Sequence, residues 1–280
     1  MKKTLLFFVF LTFTGILGGC TTLSKKVACE INYSEQTERT FLDEVIYLVL
    51  FPTEPIFGTV TLITHKPFLY LNIQNKTISR GDGELVVVIP PLWTNDLIVS
   101  PMVSSLNRLG FRAHTWEQGL STSNFSTKNN LFLEFILELV LKHDQKVNLV
   151  GWSIGGARAV DFASRHPELV RSVITLGTPF RSNPLPTFLR DSLNDYFYHD
   201  VSGALNTVSP NIPVTAIYGL ADTLVKDKNG AMYEENLVHF PRENLPVINN
   251  HFGLGFSVSA LRIIADRLSQ EKTWAPYCEK

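Results

Sequence analysis

Gly151-Trp152-Ser153-Ile154-Gly155 has the spacing that sets a serine at the apex of a sharp strand-to-helix turn, where its hydroxyl can act as a nucleophile. An apolar run, Val147 to Val150, leads into these residues. An Ala-rich helical pattern, Ala157 to about Ser164, follows them. The glycines have a steric task. The apex residue is held in a strained backbone conformation, and a Cβ at Gly151 or Gly155 would meet the neighbouring strand or helix. Ser153 Oγ then stands over the sheet edge, with a helix N-terminus behind it that favours negative charge.

A serine hydroxyl is a poor nucleophile near neutral pH until an imidazole takes its proton. The imidazole in turn needs a buried carboxylate to hold its tautomer. At turns of this kind the chain order is serine, acid, histidine, so the partners are sought after Ser153, at strand exits. Asp222 follows the Pro213–Ile217 strand directly and is the first choice; Asp195, Asp200 and Asp227 follow no predicted strand. His251, in the loop entering the last helix, is preferred as base to His239. His65, His114 and His143 precede the serine, His166 lies beside Pro167, and His199 sits in an insertion. A tetrahedral oxyanion would need two N–H donors. The backbone of Ile154 supplies one, and the loop after Leu85–Ile89 the other. Pro90 and Pro91 have no N–H to give, so Leu92 is the first candidate there and Trp93 the second. Trp93 and Trp152 flank this point, either lining a pocket or packing in the core.

The elements that must position these groups alternate in type. Leu85–Ile89 is a continuous β-branched run suited to a strand buried on both faces. Pro90 to Asp96 reads as its exit loop, with a helix from about Ser100 to Leu109 closed by Gly110. Strands are predicted at Phe111–Trp116, Val147–Val150, Val170–Leu176 and Ile212–Tyr218, with helices at Leu131–His143, after the serine, and at Ser257–Leu268. Residues 55 to 78 fit either period. The alternation predicts an α/β domain with a mostly parallel twisted sheet and helices on both faces. Working residues then sit at the carboxyl ends of the strands.

Together the segments Val86 to Leu92, Gly151 to Gly156, Thr175 to Phe180, Pro213 to Val225 and His251 to Gly255 make the chain resemble the α/β-hydrolase superfamily, in particular its bacterial lipase/esterase-like members. The resemblance covers roughly residues 81 to 275. It implies Ser153 as nucleophile, Asp222 as acid, His251 as base, and an acyl-enzyme route needing no metal or cofactor. The chain departs from that pattern at Pro90-Pro91, where such relatives usually carry His-Gly or Pro-Gly. A stretch at about 180–211, with Phe188, Tyr196 and Phe197, fits a small lid or a helical insertion. Three functions compete: hydrolysis of a carboxylic ester, lipid acyl esters included; acyl transfer from the same acyl-enzyme; and ligand binding on an inactive hydrolase fold.

Met1-Lys2-Lys3 followed by the apolar Leu5–Leu17 reads as an export signal. Leu17-Gly18-Gly19-Cys20 resembles the lipobox of bacterial lipoproteins, which implies cleavage after residue 19, lipidation of Cys20 and a tether to the cell envelope or outer membrane. Residues 20–40 are polar and suit a linker, and residues 41–280 form the hydrolase-like domain. Cys29 and Cys278 remain, an even pair compatible with a disulfide between the chain ends or with two thiols. The 280 residues suit one large domain. A formal net charge of −1 without a basic cluster argues against a nucleic-acid surface.

Overall fold

Val, Ile and Leu side chains pack well on a pleated surface, and Leu85–Ile89 forms β1 with all five residues buried. The computed structural model describes residues 78–122, 129–180, 204–225, 232, 241–270, 275 and 277. The leader with Cys20, Cys29, the linker, most of the lid-like stretch and Cys278 lie outside them, as do His65, His199, His239, Asp195, Asp200 and Asp227.

Among the described residues the chain builds a six-stranded parallel sheet in the order β2-β1-β3-β4-β5-β6. The strands after β1 are β2 (Arg112–Thr115), β3 (Val147–Trp152), β4 (Val170–Leu176), β5 (Val214–Gly219) and β6 (Arg242–Val247). The helices are α1 (Asp96–Arg108), α2 (Asn129–His143), α3 (Ile154–Arg165), the four-residue α4 (His251–Leu254) and α5 (Val258–Leu268). Two cores cover the faces of the sheet. Leu85, Val87, Leu149 and Val173 pack with α2 and α3, whereas Val86, Val88, Val150 and Ile174 pack with α1 and α5. Ala204, Leu205 and Val208 are buried in the first core, so this end of the expected lid-like stretch packs on the domain.

β1 lies between β2 and β3, with Ile89 level with Gly151. The chain therefore reverses its direction of travel across the sheet at the β1/β3 junction. In open α/β sheets that junction opens a crevice at the carboxyl ends of the strands. The β1 exit loop and the Ser153 turn leave the sheet on either side of it.

Several boundaries differ from expectation for local reasons. α1 starts at Asp96 rather than near Ser100, because Asn95 Oδ1 caps it by accepting from Leu97 N–H at 3.0 Å. Pro101 then sits inside the helix and cannot bond the Leu97 carbonyl. Ser100 Oγ donates to that carbonyl at 2.9 Å instead. Gly110 closes the helix as expected, with Gly110 N–H on Asn107 O and Phe111 N–H on Leu106 O.

β6 was not expected, because Arg242-Glu243-Asn244 and Pro246 argue against a strand. Tertiary partners accommodate each polar group. Arg242 donates to the Ile212 carbonyl at 2.6 Å. Glu243 accepts from Thr215 Oγ1 at 2.7 Å, Arg267 Nη1 at 3.0 Å and Tyr277 N–H at 2.9 Å. Asn244 Oδ1 accepts from Met232 N–H at 2.9 Å.

Candidate active site

The serine turn is steric before it is chemical. Ser153 has φ 55° and ψ −122°, a conformation that ordinary residues avoid and that persists only when its surroundings impose it. A Cβ on Gly151 would collide with the backbone of Gly155 and Gly156. One on Gly155 would collide with the Ile89 carbonyl and lie 2.7 Å from that of Pro90. Two glycines thus let the first turn of α3 rest directly on the end of β1. Ser153 N–H donates to Leu176 O at 2.7 Å, and Thr178 Oγ1 donates to Ser153 O at 2.9 Å. These bonds tie the backbone of the turn to the β4 exit. The serine side chain does not cap its helix.

The acid's turn is fixed from two sides. Asp222 Oδ1 accepts from Leu224 N–H at 3.0 Å and Val225 N–H at 2.7 Å, which leaves Oδ2 facing His251 Nδ1 at 2.8 Å. The Asp222 side chain is fully buried and that of His251 is 3% exposed, so water does not screen the pair. The base's loop is pinned in turn. Asn250 Oδ1 caps α4 through Gly253 N–H at 2.8 Å, and Trp152 Nε1 donates to the His251 carbonyl at 3.2 Å. Ala221 N–H on Asn249 O at 3.1 Å joins the two loops.

Gly177 lies against Asp222 and His251, next to the residue that holds the Ser153 backbone. It follows Leu176, the residue bonded to Ser153 N–H, and a Cβ placed on it would lie 3.1 Å from both Asp222 Oδ2 and His251 Nδ1. Its φ is +54°. Gly177→Ala is therefore expected to push the carboxylate and imidazole apart and to strain the backbone by about 1–2 kcal/mol. The two side chains must give by only a few tenths of an ångström, so a loss of roughly 10-fold in turnover is expected, read by steady-state kinetics beside a thermal melt.

Of the residues singled out in the sequence, Asp222 and His251 meet although 29 residues separate them, and the Ser153 backbone is bonded to Leu176, the neighbour of the Gly177 that borders both. Ile154 is the first residue of α3, so its N–H has no helical carbonyl to bond. Leu92 lies buried in the β1 exit loop. Trp93 does not fit as a second donor, because its N–H is committed to Ser121 O at 2.6 Å. Its side chain is 51% exposed, whereas Trp152 is buried and packs edge-on against Phe256 with ring centroids 5.7 Å apart. His114 and His143 neighbour each other away from the serine, with ring centroids 6.3 Å apart, and His166 packs on Phe162. The sequence pattern by itself gives Gly177 and Thr178 no role. A glycine ending a strand run was the signal available.

Residues 111–213 match the alpha/beta hydrolase fold family, a span that includes Ser153 and stops short of Asp222 and His251. The chain is 36% identical over 84 residues to a triacylglycerol lipase of Pseudarthrobacter phenanthrenivorans, a stretch covering 30% of this chain and 24% of that one. The match thus spans about a quarter of the relative's length. Among solved structures, a metagenome-derived lipolytic enzyme superposes with a TM-score of 0.52 at 14% identity, covering 68% of this chain and 93% of its own. A lipase-esterase related protein of Clostridium acetobutylicum superposes with a TM-score of 0.51 at 16% identity, covering 68% and 95%. With its parallel sheet, its reversal at β1/β3 and these likenesses, the chain has the α/β-hydrolase fold.

Proposed function

We propose that the protein is a serine hydrolase that cleaves carboxylic esters through an acyl-enzyme. The observation that carries this reading is the buried Asp222–His251 pair, in a chain that also holds Ser153 at positive φ. With Nδ1–H donating to Asp222 Oδ2, the imidazole presents Nε2 as the acceptor for the serine proton. Ser153 Oγ attacks the ester carbonyl carbon as His251 takes its proton. The oxyanion is received by the N–H groups of Ile154 and Leu92. Collapse expels the alcohol, which takes the proton back from His251. Water then repeats the sequence on the acyl-enzyme and releases the acid. The partial likeness to a triacylglycerol lipase supports an ester, lipid acyl esters included, as the substrate class.

A panel of p-nitrophenyl esters of rising acyl length, combined with mass spectrometry of the trapped acyl-serine, tests the reading. Acylation of Ser153 with free acid as product supports it. A product in which the acyl group sits on an added alcohol would reassign the reaction to acyl transfer. No turnover and no label from a fluorophosphonate probe would leave ligand binding on an inactive fold.

We further propose that the enzyme is held at a membrane. The Leu17-Gly18-Gly19-Cys20 segment supports export, lipidation of Cys20 and anchoring at the cell envelope. Cys20→Ser is expected to move the chain from the membrane fraction to the soluble fraction and to abolish incorporation of labelled palmitate. Retention of the label would rule out Cys20 as the acceptor.

A further inference from the structure

A charged side chain in the Ala-rich helix behind the serine calls for partners. Arg158, in the second turn of α3, is only 3% exposed, and burial pulls its guanidinium down to about 10, still charged at neutral pH. It lies over the Trp116 ring, 5.1 Å from the centroid. Its Nη1 donates to Ser121 Oγ at 2.7 Å, and its Nη2 donates to the Thr122 carbonyl. Trp116 Nε1 donates to Gly119 O at 3.0 Å, which secures the same β2 exit loop from its other end.

That loop in turn holds the β1 exit loop. Ser121 O accepts from Trp93 N–H at 2.6 Å, and Ser121 N–H donates to Thr94 O at 2.7 Å, a reciprocal backbone pair. Thr94 Oγ1 closes the turn on Pro91 O at 2.7 Å. Trp93 has φ +59°, a strained conformation for a bulky residue, and these bonds keep it there. Leu92 lies between Pro91 and Trp93, and both of those neighbours are tied. Its N–H therefore points where the clamp sets it.

We propose that Arg158 is a positioning residue: through Ser121 it holds the Pro91–Thr94 turn so that the Leu92 N–H serves as the second oxyanion donor. The inference rests on the reading of Ser153 as nucleophile. It also explains how a loop opening with two prolines, which itself lacks a glycine, can serve as an oxyanion loop. The conformation that glycine would allow is imposed from outside by a buried cation on the serine's own helix.

Two readouts on the full-length chain separate the clamp from the chemistry. Hydrogen exchange followed by mass spectrometry across residues 91–95 reports the Trp93 amide whether or not the protein turns over. Arg158→Met is expected to speed that exchange at least about 10-fold while protection of β3 is unchanged. The same variant is expected to lose roughly 10- to 100-fold in kcat with KM within about 2-fold, since a misplaced donor acts on the transition state. Arg158→Lys, which keeps the charge and one donor, should fall between. Ser121→Ala should move both readouts in the same direction and carries the test if Arg158→Met does not fold. Arg165→Met, which removes the pair with Asp161 on the same helix, should change neither. Unchanged Trp93 exchange in a folded Arg158 variant, or a kcat loss that only tracks the unfolded fraction, would overturn the clamp. Released exchange in a protein whose wild type cleaves no ester would keep the clamp and overturn the hydrolase reading instead.

Discussion

Ser153→Ala is expected to lower turnover of an activated ester by about a million-fold with the fold intact, because no other hydroxyl occupies the apex of the turn. The backbone bonds that hold the turn, Ser153 N–H to Leu176 O and Thr178 Oγ1 to Ser153 O, do not involve the serine side chain. The side chain also makes no bond to the helix it precedes, so alanine removes no cap. The melting temperature should accordingly move little. His251→Ala should match the loss, since the groups act as a unit and removing one disables the rest. Active-site titration on folded protein decides. Retention of more than about a hundredth of the wild-type rate by Ser153→Ala would take the nucleophile's role away from it.

Asp222→Asn should lose roughly 10,000-fold in kcat with almost no change in structure. The reason is orientation. Leu224 and Val225 N–H groups both point at Oδ1 and require an acceptor there, so the asparagine oxygen must take that place. The amide NH2 then occupies the Oδ2 position, 2.8 Å from His251 Nδ1, and donates to it. The imidazole is forced to carry its proton on Nε2, where it can no longer accept from the serine. A proton NMR resonance from Nδ1–H, shifted far downfield in the wild type, should vanish in the variant. A variant that keeps more than about a tenth of wild-type kcat would show that the carboxylate does not set the tautomer.

How much of this was legible beforehand depends on range along the chain. The serine turn could be read because everything that makes it is local: an apolar strand run, glycines two residues on either side of the serine, and a helical pattern after it. Val170–Leu176 was read at its observed bounds because a buried strand of β-branched residues has no competing period. Asp222 and His251, which pair in the structure, were singled out by rank order and by their place at element boundaries. β6 was missed, since a strand with Arg242, Glu243 and Pro246 violates every local preference. It is nonetheless the strand that carries Asn249–His251 to the acid's turn.

Composition and short-range sterics by themselves settled the alternating architecture and the serine's conformation, and singled out Ser153, Asp222 and His251. The tertiary structure decided which histidine meets which carboxylate and that the Trp93 N–H is committed to Ser121. It also decided which partners the buried Arg158 on the serine's helix receives. Those outcomes depend on bonds between residues tens of positions apart, Trp93 with Ser121, Ser121 with Arg158 and Asp222 with His251. A hydrogen-bonding group records in its own neighbourhood that it needs a partner, and only the folded chain determines which partner it gets.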